Sequence, residues 1–306
     1  MRVGVDIGGT KTAAVALTPT GEIVQKLRLP TIRGMRGVVD TAARAVTELA
    51  DRIGIEPGEF TSIGVGIPGQ VEPETGRVTH AVNLAVEDLE FGTELSSRLG
   101  LLVRVENDVN AAALGVYQLL AGESTHSMAY LNLGTGLAAG LVLDGRLWRG
   151  SRGAAGEIGH IPIDPNGPPC PCGQRGCIEV LASGSAVARQ WPAADARPVQ
   201  ELFEAAGRGD ANATRVKHGL VNNIAAAVRI LVLTIDVDTV VLGGGISSLG
   251  EQLRAAVGDV LEDWSAESPF LASLELASRV RLAPTDYPSA AVGAALIGMA
   301  GTPSLS

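Results

Sequence analysis

Residues 3–17, VGVDIGGTKTAAVAL, and residues 129–143, AYLNLGTGLAAGLVL, can be laid on each other without gaps. In this alignment the glycine turns coincide and Asp6 falls on Asn132. Each stretch reads as an apolar strand, a glycine-rich turn and a second apolar strand, because short apolar runs bounded by glycine are typical of buried strands. Two such hairpins 126 residues apart predict two related α/β halves, the alternative being chance similarity between two buried hairpins.

The length of 306 residues suggests two domains of about 100–200 residues each. We predict a small N-terminal α/β domain, residues 1–108, on which a closing segment, residues 288–306, packs back. Residues 109–287 form a large α/β domain. Residues 68–89 are predicted to be a Pro/Gly turn followed by a loop. Apolar runs predict further strands at 23–29, 62–67, 101–106, 238–242 and 279–283, and helical spacing predicts helices at 37–52, 90–99, 109–119, 210–233 and 288–300.

The composition describes an ordinary soluble protein, with 46% hydrophobic and 19% charged residues. The net charge is −9 and no stretch concentrates Lys and Arg, which argues against a nucleic-acid partner. The N-terminus lacks a basic segment followed by an apolar one, and no apolar run reaches about 18 residues. We therefore expect neither a signal peptide nor a membrane partner, and a cytoplasmic location.

Three glycine turns each follow an apolar strand. They contain Gly8, Gly9, Thr10 and Lys11; Gly134, Thr135 and Gly136; and Gly243, Gly244 and Gly245. Successive backbone N–H groups in such turns form an anion-binding concavity. A single glycine turn is more often only a tight hairpin, but three of them, two in matched halves, favour a phosphate ligand. None matches GxxxxGK[ST] or GxGxxG, so neither a P-loop nor a Rossmann site is predicted.

A metal site is predicted between residues 157 and 179. The ligands are His160, Cys170, Cys172 and Cys177, four donors as a closed structural Zn²⁺ site requires. These are the chain's three cysteines, and their clustering indicates metal chemistry in a reducing compartment rather than a disulfide scaffold. The alternative is three incidental thiols and a core histidine. Glu157 and Glu179 flank the loop and could accept hydrogen bonds from sugar hydroxyls, although each taken singly reads as a solvated surface acid.

The glycine turns resemble the phosphate-1, phosphate-2 and adenosine motifs of the actin/hexokinase/Hsp70 ATPase superfamily. This resemblance implies an α/β fold of two ribonuclease-H-like domains around an ATP and sugar cleft. It implies that Asp6 faces Mg²⁺ through water. The phosphates would lie beside Gly8, Gly9, Thr10 and Lys11 on one side and Gly134, Thr135 and Gly136 on the other, with Gly243 and Gly244 supporting the adenosine.

The segment ExGH followed by C-x-C-G-x-x-G-C-x-E resembles the signature of the ROK family (repressors, open reading frames and kinases), in its zinc-containing, glucokinase-like type. DIGGTK, GIPGQV, ENDVNAAA, LGTG, GAAGEIGH, CPCGQRGCIE and GGG follow in family order over the whole chain. The resemblance implies that Asp108 is the general base and that His160 both ligates zinc and contacts sugar. By spacing alone Asp108 is an N-cap of the helix 109–119. The sugar site implied by the family comprises Gly66, Gly69, Asn83, Asn107, Asp108, Glu157, His160 and Glu179.

The family implies ATP-dependent phosphorylation of a hexose with Mg²⁺. The substrate expected first is glucose, phosphorylated at its 6-hydroxyl. Alternative substrates are an amino sugar (kanosamine, glucosamine or N-acetylmannosamine), fructose, allose or mannose, and polyphosphate is an alternative donor. Acids near a sugar nitrogen favour a free amine, and Glu87, Asp88 and Glu90 lie in the variable loop. Two rival functions are a repressor, disfavoured because DIGGT begins at residue 6, and a silent sugar sensor. Family members commonly form homodimers or tetramers, so a homo-oligomer is expected.

Overall fold

The structure is a computed structural model that describes residues 1–120, 125–192 and 197–299. The strands are β1 (Arg2–Ile7), β2 (Lys11–Leu17), β3 (Ile23–Pro30), β4 (Ser62–Ile67), β5 (Gln70–Glu72), β6 (Arg77–Ala81), β7 (Val86–Leu89), β8 (Val103–Asn107), β9 (Ser127–Leu133), β10 (Leu137–Leu143), β11 (Arg146–Leu147), β12 (Thr239–Gly243) and β13 (Val280–Leu282). The helices are α1 (Met35–Ile53), α2 (Phe91–Leu99), α3 (Asp108–Leu120), α4 (Ile178–Ala182), α5 (Gly184–Gln190), α6 (Pro198–Gly207), α7 (Ala211–Ile235), α8 (Glu251–Glu267), α9 (Pro269–Ala272) and α10 (Ser289–Ile297).

The chain divides into two compact units. Unit 1 contains the described residues of Met1–Ser124, Asp144–Gly153 and Asp286–Ser306, and unit 2 those of Thr125–Leu143 and Ala154–Thr285. This division differs from the predicted boundary at residue 108, because α3 packs along α10 inside unit 1. The segment between residues 144 and 153 also belongs to unit 1, although the chain on either side of it belongs to unit 2.

The main sheet of unit 1 has the order β3-β2-β1-β4-β8. Strand β2 runs antiparallel to β1, while β4 and β8 run parallel to it on the other side. The buried face of β1 contributes Val3, Val5 and Ile7 to the core. Helix α1 covers the sheet with apolar residues such as Val46 and Leu49, and it ends at Gly54, which takes the left-handed conformation that favours glycine.

Strands β5, β6 and β7 form a separate three-stranded antiparallel sheet in unit 1. The prediction of a loop over residues 68–89 was therefore wrong. The strands contain three to five residues each, so alternation of buried and exposed positions extends over too few residues to be recognised in the sequence. Two non-glycine residues here are in the left-handed region, His80 within β6 and Ala85 directly before β7.

Unit 2 is built on strands in the order β10-β9-β12-β13. Strand β10 runs antiparallel to β9, and β12 and β13 run parallel to it. Helix α7 packs in the same core with Leu220, Ile224, Val228 and Leu231 fully or almost fully buried. By length and composition α7 could cross a membrane, but a core helix passes the same test, so this is weak evidence for a span.

Within unit 1, the backbone of the closing helix α10 lies in direct contact with the backbones of β4 and α3. A side chain at Gly64 of β4 would overlap the carbonyl oxygen of Ala294, and one at Gly293 would overlap that of Ala111 in α3. Glycine at both positions removes the Cβ atom that would keep these elements apart. The helix that begins at Asp108 is therefore held directly against α10 and the sheet.

Candidate active site

The first glycine turn joins β1 to β2 in unit 1. The Gly8 N–H donates to the carbonyl oxygen of Lys11 at 2.9 Å. The Thr31 hydroxyl donates to the Gly8 carbonyl oxygen at 2.8 Å, and Nε of Arg33 donates to the Gly9 carbonyl oxygen at 3.1 Å. Thr10 and Lys11 are exposed. The turn is thus held through its carbonyl groups, and two polar side chains beside it face solvent.

Asp6 lies on β1 two residues before this turn and is partly buried. Burial, together with the smaller effect of the negative charge of Asp108, raises the pKa of Asp6 to about 7. Two carboxylates that oppose each other's ionisation form a site of excess negative charge, which a bound cation would relieve. Their hard oxygen donors are the type that Mg²⁺ prefers, so the residues present fit the predicted ion.

Three parallel strands bring the site together at their carboxyl ends. In the sheet Asp6 is paired with Gly66 on β4, and Gly66 with Glu106 on β8. A Cβ atom at Gly66 would lie 3.1 Å from the Cβ of Ala111 and 3.6 Å from the Cα of Asp108. The absence of a side chain at Gly66 therefore allows the first turn of α3 to approach the end of the sheet.

Asn107 is the residue that caps α3. Its Oδ1 accepts hydrogen bonds from the N–H groups of Val109 at 2.9 Å and Asn110 at 3.3 Å. The prediction from spacing that Asp108 is the N-cap was therefore wrong, because Asp108 is the first residue of the helix. Nδ2 of Asn107 donates to the Gly69 carbonyl oxygen at 3.1 Å, which leaves only its second proton for a sugar.

Asn83 is exposed on the turn between β6 and β7. The carbonyl oxygen of the next residue, Leu84, accepts a hydrogen bond from the Gly34 N–H at 2.7 Å. A Cβ atom at Gly9 would lie 3.5 Å from the Cβ of Asn83. The structure thus places Asn83 beside the first glycine turn.

The nearby acid Asp88 is bound by Arg77, whose Nε lies 2.7 Å from Oδ1, and this bond lowers the pKa of Asp88.

The second glycine turn joins β9 to β10 in unit 2. The Gly134 N–H donates to the carbonyl oxygen of Gly136 at 3.0 Å. Oε2 of Glu179 accepts the N–H of Leu137 at 3.0 Å, and a side chain at Gly136 would overlap this oxygen. Glu179, which follows the cysteine loop in sequence, is therefore also in contact with the predicted phosphate turn. One of its carboxylate oxygens accepts the hydrogen bond from that turn.

The third turn follows β12 in unit 2. A side chain at Gly243 would overlap the ring of Tyr130 on β9. Gly244 has a φ of 81°, and a Cβ atom there would lie 2.7 Å from Oδ1 of Asn132. Both positions therefore require glycine to bring β12 and its turn close to β9.

The four predicted metal ligands are brought together. The ligand atoms of His160, Cys170, Cys172 and Cys177 all lie within 4.8 Å of one another. Sγ of Cys172 is 3.7 Å from Sγ of Cys177, and Sγ of Cys170 is 3.8 Å from Nδ1 of His160. Ligands about 2.3 Å from a tetrahedral Zn²⁺ are about 3.8 Å apart, so these separations fit that ion.

Two of the cysteine thiols have pKa values shifted in opposite directions. Burial raises the pKa of Cys177 to about 12, whereas hydrogen bonds from the backbone and side chain of Gln174 lower that of Cys172 to about 6. A thiol such as Cys177 becomes a thiolate at neutral pH only when a positive charge lies beside it.

The exposed Glu157 precedes a short turn, Ile158–His160, whose Gly159 packs on the backbone of β10.

The structure thus collects the predicted residues in two groups, one in each unit. Unit 1 holds Asp6, Gly8, Gly9, Thr10, Lys11, Gly66, Gly69, Asn83, Asn107 and Asp108, and unit 2 holds Gly134, Thr135, Gly136, Glu157, His160, Cys170, Cys172, Cys177, Glu179, Gly243 and Gly244. Sequence reasoning assigned no role to Glu106, which is buried beside Asn107, or to its partner Arg149. The signal available was an acid directly before Asn107-Asp108.

The chain is similar to known proteins over most of its length. The ROK family model matches residues 2–299. Glucokinase from Halalkalibacterium halodurans is 34% identical over 287 residues, covering 86% of each chain. N-acetylmannosamine kinase from Haemophilus influenzae (strain PittEE) is 32% identical over 266 residues, also covering 86% of each.

Solved structures agree as well. A ROK hexokinase from Thermus thermophilus has a TM-score of 0.82 and 33% identity over 97% of both chains. A ROK family glucokinase from Streptomyces griseus, solved with glucose and AMPPNP, has a TM-score of 0.78 and 29% identity over 97% of this chain and 98% of that one. The fold is that of the actin/hexokinase superfamily, and the predicted fold class is confirmed. Within that class, this chain belongs to the ROK family.

Proposed function

We propose that this protein transfers the γ-phosphate of ATP to a hexose, with glucose at its 6-hydroxyl as the first substrate. The predicted class, a sugar kinase that phosphorylates a hexose, is confirmed by the glucokinase and hexokinase relatives. One observation carries the assignment of the chemistry to residues: Asp108 begins α3 at the end of the parallel sheet, beside the half-buried carboxylate of Asp6.

In this proposal Asp108 is the general base. It accepts the proton of the sugar hydroxyl as the bond to phosphorus forms. Phosphoryl transfer depends mainly on positioning and charge stabilisation, so a carboxylate fixed at a helix start is sufficient. Asp6 would hold the hydrated Mg²⁺ that accompanies ATP, and this ion, when bound, neutralises charge on the phosphates.

Each unit contains a hairpin turn with donor groups for phosphate. Gly8, Gly9, Thr10 and Lys11 offer N–H, hydroxyl and ammonium donors in unit 1, and Gly134, Thr135 and Gly136 offer N–H and hydroxyl donors in unit 2. Gly243 and Gly244 would support the adenosine. Donors of these types bind anions without requiring a basic protein surface, which agrees with a net charge of −9.

Each unit contains residues that the family implies for the sugar. Asn107 has one amide proton left for a hydroxyl, Asn83 is exposed beside the phosphate turn, and Glu157 and the second oxygen of Glu179 can accept hydrogen bonds. Gly66 and Gly69 would line the pocket. Zn²⁺ held by His160 and the three cysteines would fix the loop that carries these acids, with no part in the transfer itself.

A second candidate substrate is an amino sugar, supported by the similarity to N-acetylmannosamine kinase. The structure argues against two of the three acids proposed for a free amine. Asp88 is bound by Arg77, and an oxygen of Glu90 lies 3.6 Å from the same Nε atom. A homo-oligomer, a cytoplasmic location and the absence of a nucleic-acid partner remain predictions.

An ADP-release assay with Mg-ATP and a panel of hexoses and amino-hexoses tests the proposal. We expect the highest kcat/KM on glucose, and a loss of turnover after a zinc chelator removes the structural metal. A higher kcat/KM on N-acetylmannosamine would move the assignment to that sugar. Absence of turnover on every sugar would refute it.

A further inference from the structure

We propose that Glu106 and Arg149 are positioning residues that hold the general base Asp108. This inference rests on the proposed function, since it assumes that Asp108 accepts the sugar proton. Glu106 is the penultimate residue of β8 and is only 2% exposed. A buried carboxylate requires partners, and it has four donor groups around its two oxygens.

One oxygen of Glu106 holds the residues on both sides of Asp108. Oε1 accepts the N–H of Asn107 at 3.0 Å and Nδ2 of Asn110 at 2.9 Å. Asn107 in turn caps the first turn of α3. Asp108 therefore lies between two residues that are both tied to the same carboxylate oxygen, so the direction of its backbone is fixed by Glu106.

The other oxygen binds a guanidinium group. Oε2 of Glu106 accepts Nε of Arg149 at 2.6 Å, and Nη2 of the same residue is also 2.6 Å away. The Arg149 side chain is 25% exposed, against 3% for Glu106. Arg149 provides the charge that a buried carboxylate requires and fixes the side-chain rotamer of Glu106, which otherwise could turn Oε1 away from Asn107.

The position of Arg149 in the chain gives the pair a second consequence. The chain leaves unit 2 after Leu143 and returns to it at Ala154, shortly before the predicted sugar and zinc ligand His160. Within this excursion Arg149 is bonded to Glu106 on β8, two residues before α3 begins. This part of unit 1 is thereby bonded to the strand that leads into Asp108.

A purely structural role is the alternative, because breaking a buried ion pair destabilises most proteins. The two roles differ in what they do to turnover. A positioning residue acts only through Asp108, so its removal lowers kcat when the base is present and has no further effect when the base is absent. A structural residue lowers the folded fraction in both backgrounds.

The test measures kcat and KM for glucose and ATP in Glu106→Gln, Arg149→Met and the double variant, each with Asp108 or with Asp108→Asn. We expect each single change to lower kcat about 10- to 100-fold with Asp108 present and to change KM little. In Asp108→Asn the same changes should alter the residual rate, followed with labelled γ-phosphate, by less than about twofold. The double variant removes both charges, so it should fold and regain part of the kcat that Arg149→Met loses.

Arg279→Met is the matched control, because the Arg279 side chain is 23% exposed and its Nη1 lies 2.9 Å from Asp236 in unit 2. It should keep the wild-type kcat. Equal losses in both Asp108 backgrounds, or a wild-type kcat in Glu106→Gln, would overturn the inference alone, provided that Asp108→Asn itself lowers kcat by about 100-fold or more. Full turnover by Asp108→Asn would overturn both the proposed base and the inference. Melting curves for every variant separate unfolding from loss of rate.

Discussion

The β1–β2 hairpin of unit 1 and the β9–β10 hairpin of unit 2 have the same backbone plan and differ in charge. In each, the first strand is paired with a parallel strand at a glycine, Gly66 beside Asp6 and Gly243 beside Asn132. The equivalent position is therefore a carboxylate in one unit and a neutral amide of similar shape in the other.

This difference separates two tasks that the same scaffold could perform. Glycine turns that offer N–H groups to phosphate occur in both units, and they need no ionised side chain. The clustered carboxylates, Asp6 and Asp108, belong to unit 1, where burial and then the charge of Asp108 raise the pKa of Asp6. We infer that the cation and the proton transfer belong to unit 1, and that unit 2 contributes neutral donors and the metal-bound loop.

Removal of the base should have the largest effect. If proton transfer belongs to unit 1, Asp108→Asn should lower kcat by about 10²- to 10⁴-fold, because the amide cannot accept the hydroxyl proton. The KM for glucose should change little. Steady-state kinetics and a glucose-binding titration measure the two quantities. A variant that keeps more than a tenth of the wild-type kcat would contradict the division of tasks.

Loss of the metal should affect unit 2 in a different way. Cys177→Ser removes a buried ligand, so the loop should lose its Zn²⁺ and the sugar acids their orientation. We expect about a 10- to 100-fold loss of kcat/KM for glucose. Metal content by atomic absorption, with kcat/KM, checks this. Full activity in a metal-free variant would show that the loop needs no ion.

Asp6→Asn converts the position in unit 1 to the residue found in unit 2. The free protein should become more stable at pH 8, because the pKa of the carboxyl is about 7 in the folded state against 3.8 as its ordinary value. A raised pKa means that the stability from the protonated group is complete below about pH 4 and is lost as the pH rises to 7. The loss is up to roughly 4 kcal/mol.

Urea unfolding of the two proteins at pH 4, 6 and 8, without nucleotide or Mg²⁺, measures this difference. The gain from Asp6→Asn should grow with pH, while the variant loses kcat because its site no longer attracts a cation. Asn132→Asp is the reciprocal change and should destabilise unit 2 at high pH. Parallel pH profiles for wild type and Asp6→Asn would contradict the effect of burial on Asp6.

Two glycine substitutions give the smallest effects and opposite signs. Gly293→Ala in unit 1 places a methyl group against the carbonyl of Ala111 in α3, and should cost about 1–3 kcal/mol. Gly258→Ala, in α8 of unit 2, adds a methyl group in open space and should stabilise by about 0.4–1 kcal/mol. Denaturant midpoints compare them. Destabilisation of similar size at both sites would contradict the close packing of α10.

The sequence was sufficient for features that repeat or that cluster along the chain. Strand β10 begins and ends at the positions that the alignment assigns to it from β2. Strand β9 ends at the position assigned from β1 and begins one residue earlier, because the buried apolar runs and the glycine turns have the same spacing. The grouping of the four proposed metal ligands was also predictable, since His160 and the cysteines are close in sequence and their residue types have few other uses.

Features that depend on distant residues could not be predicted in this way. The bond between Glu106 and Arg149 joins positions far apart in the chain, and nothing local marks either residue as a partner. Whether Asn107 or Asp108 caps α3 depends on whether the helix begins at residue 108 or at residue 109. The sequence does not fix a helix start to within one residue. The sheet β5-β6-β7 was missed because its strands are short.

The backbone contacts of α10 have a consequence for how the chain matures on the ribosome. Strands β1 and β4 are synthesised early, but the helix that covers Gly4 and Gly64 follows α3 by about 170 residues. At roughly 5–20 residues per second, translation of that interval takes on the order of ten seconds or more. Unit 2 is translated within the interval, so it can fold first, while unit 1 presents an uncovered sheet face to chaperones until α10 emerges.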